Sequence, residues 1–257
     1  MEIYNQIIIN RIQCEVKYKF DLIFRLLLGF IPTIIIVLVW NAVYKSNPGL
    51  SYEFFNSYQD MLKYIIFSNI LFNVIEINNY AMSNDIRNGE LNKYLLRPVN
   101  YIRYKIFSDL GGFLVNLTLI LIPLLIITFI LKIHLLKIIM FILMAILSFC
   151  IKFYLMSILS FLTFWFTDVS CLFATVSFIT SFLSGTLIPI SAMPNFIKLI
   201  SNFLPFRFLG YETAVYMIAN KSGYLVILQQ MIWIAFLWVI SKILWNRGLK
   251  VYGAFSG

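Results

Sequence analysis

The fold is decided by residues Leu110–Leu131, LGGFLVNLTLILIPLLIITFIL, a stretch in which no side chain is charged. A helix needs about 20 mostly apolar residues to cross the hydrocarbon core of a bilayer. The apolar residues follow one another without strict alternation, which favours a helix over a barrel strand. We therefore expect this stretch to span a membrane as a helix.

Five more stretches of this kind predict an all-α polytopic membrane protein with six transmembrane helices. The chain shows no internal repeat or linker, so we expect a single transmembrane domain over residues 1–257. The predicted spans are about Leu22–Tyr44, Met61–Met82, Leu110–Leu131, Ile138–Trp165, Val169–Ile190 and Tyr224–Ser241.

The composition excludes a soluble enzyme, because 61% of the residues are hydrophobic and only 12% are charged, against about 25% charged in soluble domains. The net charge of +9 comes from basic residues in short gaps between apolar stretches. We therefore expect contact with membrane lipid and no nucleic-acid partner. Cys14, Cys150 and Cys171 form no CxxC motif, so we expect free thiols.

The basic residues also predict an orientation. Six spans place both termini on one side of the membrane, and the segments on that side carry twelve Lys and Arg residues against six on the other. Cytoplasmic loops are enriched in basic residues. We expect a multi-pass protein of the plasma or inner membrane with both termini in the cytoplasm.

Two segments between the spans are too apolar for plain loops. Within residues 1–20, Ile8, Ile12 and Val16 recur at steps of four, which predicts an amphipathic helix on the inner membrane face. The alternative is a basic tail with chance periodicity. Between the fifth and sixth spans, prolines divide the apolar residues 191–223, which predicts short re-entrant helices in the outer leaflet.

The sequence contains no catalytic motif. It has one histidine, His134, and no P-loop or zinc-protease pattern. We therefore expect no catalytic residue, metal site or cofactor in this chain. Charged residues inside a membrane are functional candidates by default. Those within the predicted spans are Arg25, Lys63, Glu76 and Lys152.

Two helix faces are candidates for a translocation pathway. The second span places Asn69, Asn73, Glu76 and Tyr80 on one face, which suits either a pathway or a hydrogen-bonded seam between helices. The fifth span carries a stripe of small residues, for which a packing or dimer seam is favoured over a pore lining. The stripe consists of Ser170, Ala174, Ser177, Ser181 and Ser184.

A charge-rich segment, NDIRNGELNKYLLRP at residues 84–98, follows the second span on the predicted inner side. Leu91 and Leu95 share part of a helix face. The segment's ionic contacts come from Arg87, Glu90, Lys93 and Arg97. A short helix of this kind suits docking to a soluble partner. The alternative is a solvated basic loop.

The residues Gly-Glu-Leu-Asn-Lys-Tyr-Leu-Leu-Arg-Pro at 89–98 resemble the Gly-Glu-Leu-x-x-x-Leu-Leu-Arg-Pro segment of ABC-2 type permeases, the membrane subunits of a class of ABC exporters. Ser184–Pro189, Met193-Pro194 and Leu204–Phe206 are similar to that family's pattern before the last span. The tail Trp245–Tyr252 is similar to tails of the branch that carries Leu-Leu-Arg-Pro.

The resemblance implies a six-helix half-transporter that pairs with a second copy or a second permease. Its first inner loop would be a coupling helix in a cleft of a separate ATP-binding subunit, which would bind ATP and Mg. The matching coupling residues are Asp85, Arg87, Gly89, Glu90, Leu91, Leu95 and Arg97. The family's second and fifth helices face one another across the dimer, which favours a pathway at Asn69, Asn73, Glu76, Ser177 and Ser181.

We therefore expect a permease subunit of an ABC transporter that exports an amphipathic drug, peptide, lipid or glycan and is not itself an enzyme. The residues alone leave a second hypothesis open. A stand-alone channel or ion-coupled carrier would use Glu76 and Lys152.

Overall fold

A computed structural model describes residues 2–47, 49–78, 80–96, 99–219 and 222–255. These residues form eleven α-helices and no β-strand, which confirms the predicted all-α class. The helices are α1 (Glu2–Lys17), α2 (Lys19–Ser46), α3 (Tyr58–Val74), α4 (Ala81–Arg87), α5 (Leu91–Leu95), α6 (Tyr101–Ile130), α7 (Leu135–Phe161), α8 (Ser170–Leu183), α9 (Asn195–Asn202), α10 (Tyr211–Ile218) and α11 (Gly223–Phe255). Short 3₁₀ helices lie at Leu162–Phe164, Ile190–Ala192 and Pro205–Leu209.

Four helices in the described part of the chain are long and apolar enough to cross a membrane. They match the first, third, fourth and sixth predicted spans, and they begin or end within a few residues of most predicted limits. The last span is longer than predicted and continues into the C-terminal tail. The four are Phe20–Ser46, Tyr101–Ile130, Leu135–Phe164 and Gly223–Tyr252. The six-span count stays a prediction, because the other two helices are shorter.

The second predicted span is wrong at its C-terminal end. The helix α3 begins after Ser57, whose hydroxyl accepts a hydrogen bond from the Asp60 N–H, and it ends at Val74 instead of continuing to Met82. Beyond it, the Asn78 side chain accepts a hydrogen bond from the Tyr80 N–H at 3.2 Å. Asparagine competes in this way with helical backbone hydrogen bonds, and the chain turns before α4 begins.

The fifth predicted span is also too long, because α8 ends at Leu183 and not at Ile190. Hydrogen bonds from Ser170 lower the pKa of the Asp168 carboxyl at the start of the helix. At the other end Gly185 has a φ of 79°, a left-handed conformation that stops the helix. The Tyr64 hydroxyl donates to the Gly185 carbonyl at 2.6 Å. This bond fixes the end of α8 against α3.

The N-terminal segment is helical, as predicted, and it packs along α6. A Cβ on Gly111 would lie 3.0 Å from the Ile8 carbonyl oxygen, so only glycine lets the two helices approach this closely. The Glu15 carboxylate joins α1 to α2 through Arg25, at 2.8 Å. The position of α1 on the membrane face remains a prediction.

The segment before the last span folds into α9, a 3₁₀ helix and α10, which packs against α3 and α7. A buried polar chain holds this region in place: the Ser148 hydroxyl donates to the Phe208 carbonyl at 2.7 Å, and the Gln230 amide donates to Ser148 at 3.0 Å. Arg207 and Glu212 form an ion pair beside it. Short helices were predicted here, and their depth in the membrane remains a prediction.

Candidate functional site

The charge-rich segment folds as a hairpin of two short helices, α4 and α5, which we call the inner hairpin (residues 81–96). Gly89 lies between the helices with a φ of 74°, which glycine adopts without strain. One side of the inner hairpin buries Met82, Ile86 and Leu91. Burial of these apolar side chains stabilises the hairpin on the ends of the long helices.

Asp85 anchors the inner hairpin to the first turns of α6. Its carboxylate accepts a hydrogen bond from the Tyr101 hydroxyl at 2.6 Å and forms an ion pair with the Lys105 ammonium at 2.8 Å. The Asp85 and Lys105 side chains are only 14% and 11% exposed. A charge pair with so little water around it is screened weakly, so α4 and α6 are held together firmly.

Stacked rings extend this anchor to the C-terminal helix. Tyr94 of α5 packs against Tyr101 and Tyr104, with ring centroids 5.2 and 4.8 Å apart. Tyr101 stacks on Trp245 of α11 at 5.3 Å and an interplanar angle of 8°. Burial and a hydrogen bond with Tyr104 raise the pKa of the Tyr94 phenol. The inner hairpin thus contacts α6 directly and is linked to α11 through Tyr101.

The other side of the inner hairpin is open. Arg87, Glu90 and Leu95 are exposed, and Leu96 is 88% exposed. Glu90 pairs with Lys93 at 3.5 Å in a solvent-exposed contact, which contributes little to stability. Exposed leucines between charges of both signs make this face suitable for contact with another protein.

The predicted coupling residues therefore lie on two different faces. Asp85 and Leu91 point into the protein, whereas Arg87, Glu90 and Leu95 point out, and Gly89 forms the turn. The prediction that Leu91 and Leu95 share a face is wrong, because Leu91 is buried at the start of the short α5 and Leu95 is 46% exposed at its end. Arg97 lies outside the described residues.

The predicted pathway residues of the second span are not on one continuous helix. Asn69 donates to the Ile65 carbonyl at 2.9 Å, and Asn73 donates to the Asn69 carbonyl at 2.9 Å and to the Gly29 carbonyl of α2 at 3.4 Å. The first two bonds stay within α3, and only the bond from Asn73 to Gly29 joins two helices. Glu76 lies beyond the end of α3 and is exposed.

The two serines predicted for the pathway lie on α8, which makes few contacts in the described chain. Three of its side chains are buried, those of Phe173, Thr180 and Leu183. Ser177 and Ser181 are half-buried, and the Ser181 hydroxyl donates to the Ser177 carbonyl at 3.0 Å. The small-residue stripe thus has part of its surface free.

A comparison with protein families decides the identity of the fold. The family described as ABC-2 family transporter protein matches residues 30–256, nearly the whole chain. The chain belongs to the ABC-2 transporter family. A comparison with curated proteins gave no match. An ABC-2 permease is a membrane transport component that associates with ABC ATP-binding subunits, which carry the ATPase activity.

Membership of the ABC-2 family makes the inner hairpin relevant to function. Three residues that hold the hairpin in place were not predicted from the sequence. Tyr101, Lys105 and Trp245 hold the hairpin from inside. The fixed spacing of Tyr101 and Lys105, one helical turn apart, was an available signal. The contact of these two residues with Asp85 could not be predicted, because it depends on the conformation of the hairpin turn.

Proposed function

We propose that this ABC-2 permease drives export by receiving the motion of an ATP-binding subunit at its inner hairpin. The observation that carries the proposal is the two-sided construction of that hairpin. Its open face presents Arg87, Glu90 and Leu95, and its closed face is fixed by Asp85 and Leu91 to the long helices. An element that is exposed on one side and rigidly held on the other can pass a displacement from a bound subunit to the long helices.

The transmission follows from these contacts. ATP binding favours one of two states of the ATP-binding subunits, which bind ATP and Mg, and a ligand can shift an equilibrium only through such a difference in affinity. The inner hairpin then moves as a rigid body. The Asp85–Lys105 ion pair and the Tyr101–Trp245 stack carry the displacement to α6 and α11.

The proposed pathway forms between two permease chains, either two copies of this chain or this chain and a second permease. The largely exposed α8 and its half-buried serines, Ser177 and Ser181, support a contact at this helix. Asn69, Asn73 and Glu76 would line the pathway from the side of α3. The distribution of basic residues supports cytoplasmic termini and an inward-facing hairpin. An amphipathic drug, peptide, lipid or glycan suits a pathway of a few polar side chains on otherwise apolar helices.

Charge reversal on the open face tests the docking role. In Glu90→Arg we expect the amount of ATP-binding subunit that co-purifies with the permease to fall about tenfold. Charges at the edge of an interface control the association rate, and a like-charge contact disfavours the complex. The measurement is quantitative co-purification from membranes that contain both subunits.

The matched control is Glu53→Arg, the same charge reversal at an exposed site before the start of α3, whereas the inner hairpin follows the end of α3. It should co-purify as the wild type does, and both variants should insert equally well. Full co-purification and full ATPase stimulation in Glu90→Arg would contradict the docking role.

A further inference from the structure

A cavity of about 310 Å³ lies where α1, α2, the turn after α3 and α6 meet. This volume is at the lower end of the range of ligand pockets. Its charged lining groups are two guanidinium groups and three carboxylates, which leaves one negative charge without a match. They are Arg11, Arg25, Glu15, Glu76 and Asp109.

Both guanidinium groups of the cavity are bound to the same acid. The Glu15 carboxylate pairs with Arg11 at 2.5 Å and with Arg25 at 2.8 Å. The Arg11 side chain is further packed against Gly111. The positive groups are therefore held on one wall, by α1 and α2.

Asp109 lies on α6 and has no hydrogen bond or ion pair to any residue in the described ranges. The nearest basic groups, those of Lys105 and Arg11, are each bound to another acid: Lys105 to Asp85, and Arg11 to Glu15. Gly112 and Asn116 follow Asp109 along the same face of α6 and also line the cavity. The Asp109 carboxylate thus faces the cavity uncommitted.

Glu76 adds a second acid on the open side. It lies in the turn after α3 and is exposed. The Lys152 ammonium, which acts on Glu76 electrostatically, lies over the Phe72 ring at 5.1 Å. Apolar surface for the rest of a ligand is close by, since Phe24 and Leu28 flank Arg25 on α2 and are 64% and 59% exposed.

We propose that this cavity binds the positively charged head of an amphiphilic ammonium compound, with Asp109 as its main counter-charge and Glu76 at the mouth. A carboxylate enclosed among protein groups is costly without a cation, and a bound ammonium group supplies one. The apolar part of the ligand lies along α2. Only the role of the ligand as the transported substrate rests on the proposed function.

The test uses the full chain in phosphatidylcholine nanodiscs without any ATP-binding subunit. Two probes of similar size and opposite charge, hexyltrimethylammonium and hexanesulfonate, are titrated by calorimetry, with empty nanodiscs as the blank. We expect binding of the cation only. Asp109→Asn should weaken it by about tenfold or more, and Glu76→Gln should weaken it less, because Glu76 is exposed.

The control is Glu53→Gln, an exposed acid that does not line the cavity, and its affinity should equal that of the wild type. Equal binding of both probes, or unchanged cation affinity in Asp109→Asn, would overturn the inference. If Asp109→Asn does not fold, Glu76→Gln takes its place, and an unchanged cation affinity in that variant would overturn the inference. None of these failures affects docking at the inner hairpin, which Glu90→Arg tests separately.

Discussion

Transport by the Asp85→Ala variant is expected to fall about tenfold or more, while the ATP-binding subunit still docks. The substitution leaves the Lys105 ammonium without its carboxylate and the Tyr101 hydroxyl without its acceptor. Removing one partner of a buried ion pair costs about 3–5 kcal/mol. The open face of the inner hairpin is unchanged, so transport is lost because the motion of the hairpin no longer reaches α6.

Two measurements separate these steps: co-purification of the ATP-binding subunit from membranes measures docking, and substrate transport in proteoliposomes measures transmission. The control is the double variant Asp85→Leu with Lys105→Met, which removes both charges and should regain stability, since apolar replacements of a buried pair are often neutral or favourable. Wild-type transport in Asp85→Ala would show that the anchor does not transmit motion.

The Trp245→Ala variant is expected to lose about 3–5 kcal/mol of stability, as large-to-small changes at aromatic core positions do. Trp245 is 8% exposed and lies against Tyr101, Phe161 and Phe164. Its removal opens a void where the inner hairpin, α7 and α11 meet. The midpoint of thermal aggregation in detergent, followed by size-exclusion chromatography, measures the loss.

Trp238→Ala is the matched control, because Trp238 lies on the same helix two turns earlier and is 47% exposed. It should lower the midpoint far less. Equal shifts of the midpoint for the two variants would mean that the aromatic cluster around Trp245 adds no more stability than an exposed position of the same helix.

The long spans were predictable from the sequence, since a continuous apolar stretch of sufficient length has few other uses. The ends of the second and fifth helices were not. Both apolar stretches continue beyond the helix ends, with Ile75 and Ile77 after Val74 and with Leu187 and Ile188 after Leu183, so hydropathy alone does not mark where the helices stop. Asn78 bonds its neighbouring backbone, and the left-handed Gly185 is held by Tyr64, 121 positions away in the chain.

The inner hairpin was predictable as a segment but not as a two-sided element. Asp85 and Arg87 are separated by one residue, yet one is anchored inside and the other is exposed. Their environments differ because of where Lys105 and Trp245 lie in the folded chain. The charged cavity was missed for the same reason, because Glu15, Glu76 and Asp109 come from three distant segments.

The most direct test of docking at the inner hairpin is site-specific photo-crosslinking. A photoreactive phenylalanine replaces either Leu96 or Phe129, which are 88% and 85% exposed and lie before the start and near the end of α6. Leu96 is predicted to crosslink to an ABC ATP-binding subunit, identified by mass spectrometry, and Phe129 is predicted not to. Crosslinks from Leu96 to lipid alone, or to the ATP-binding subunit equally from both sites, would contradict docking at the inner hairpin.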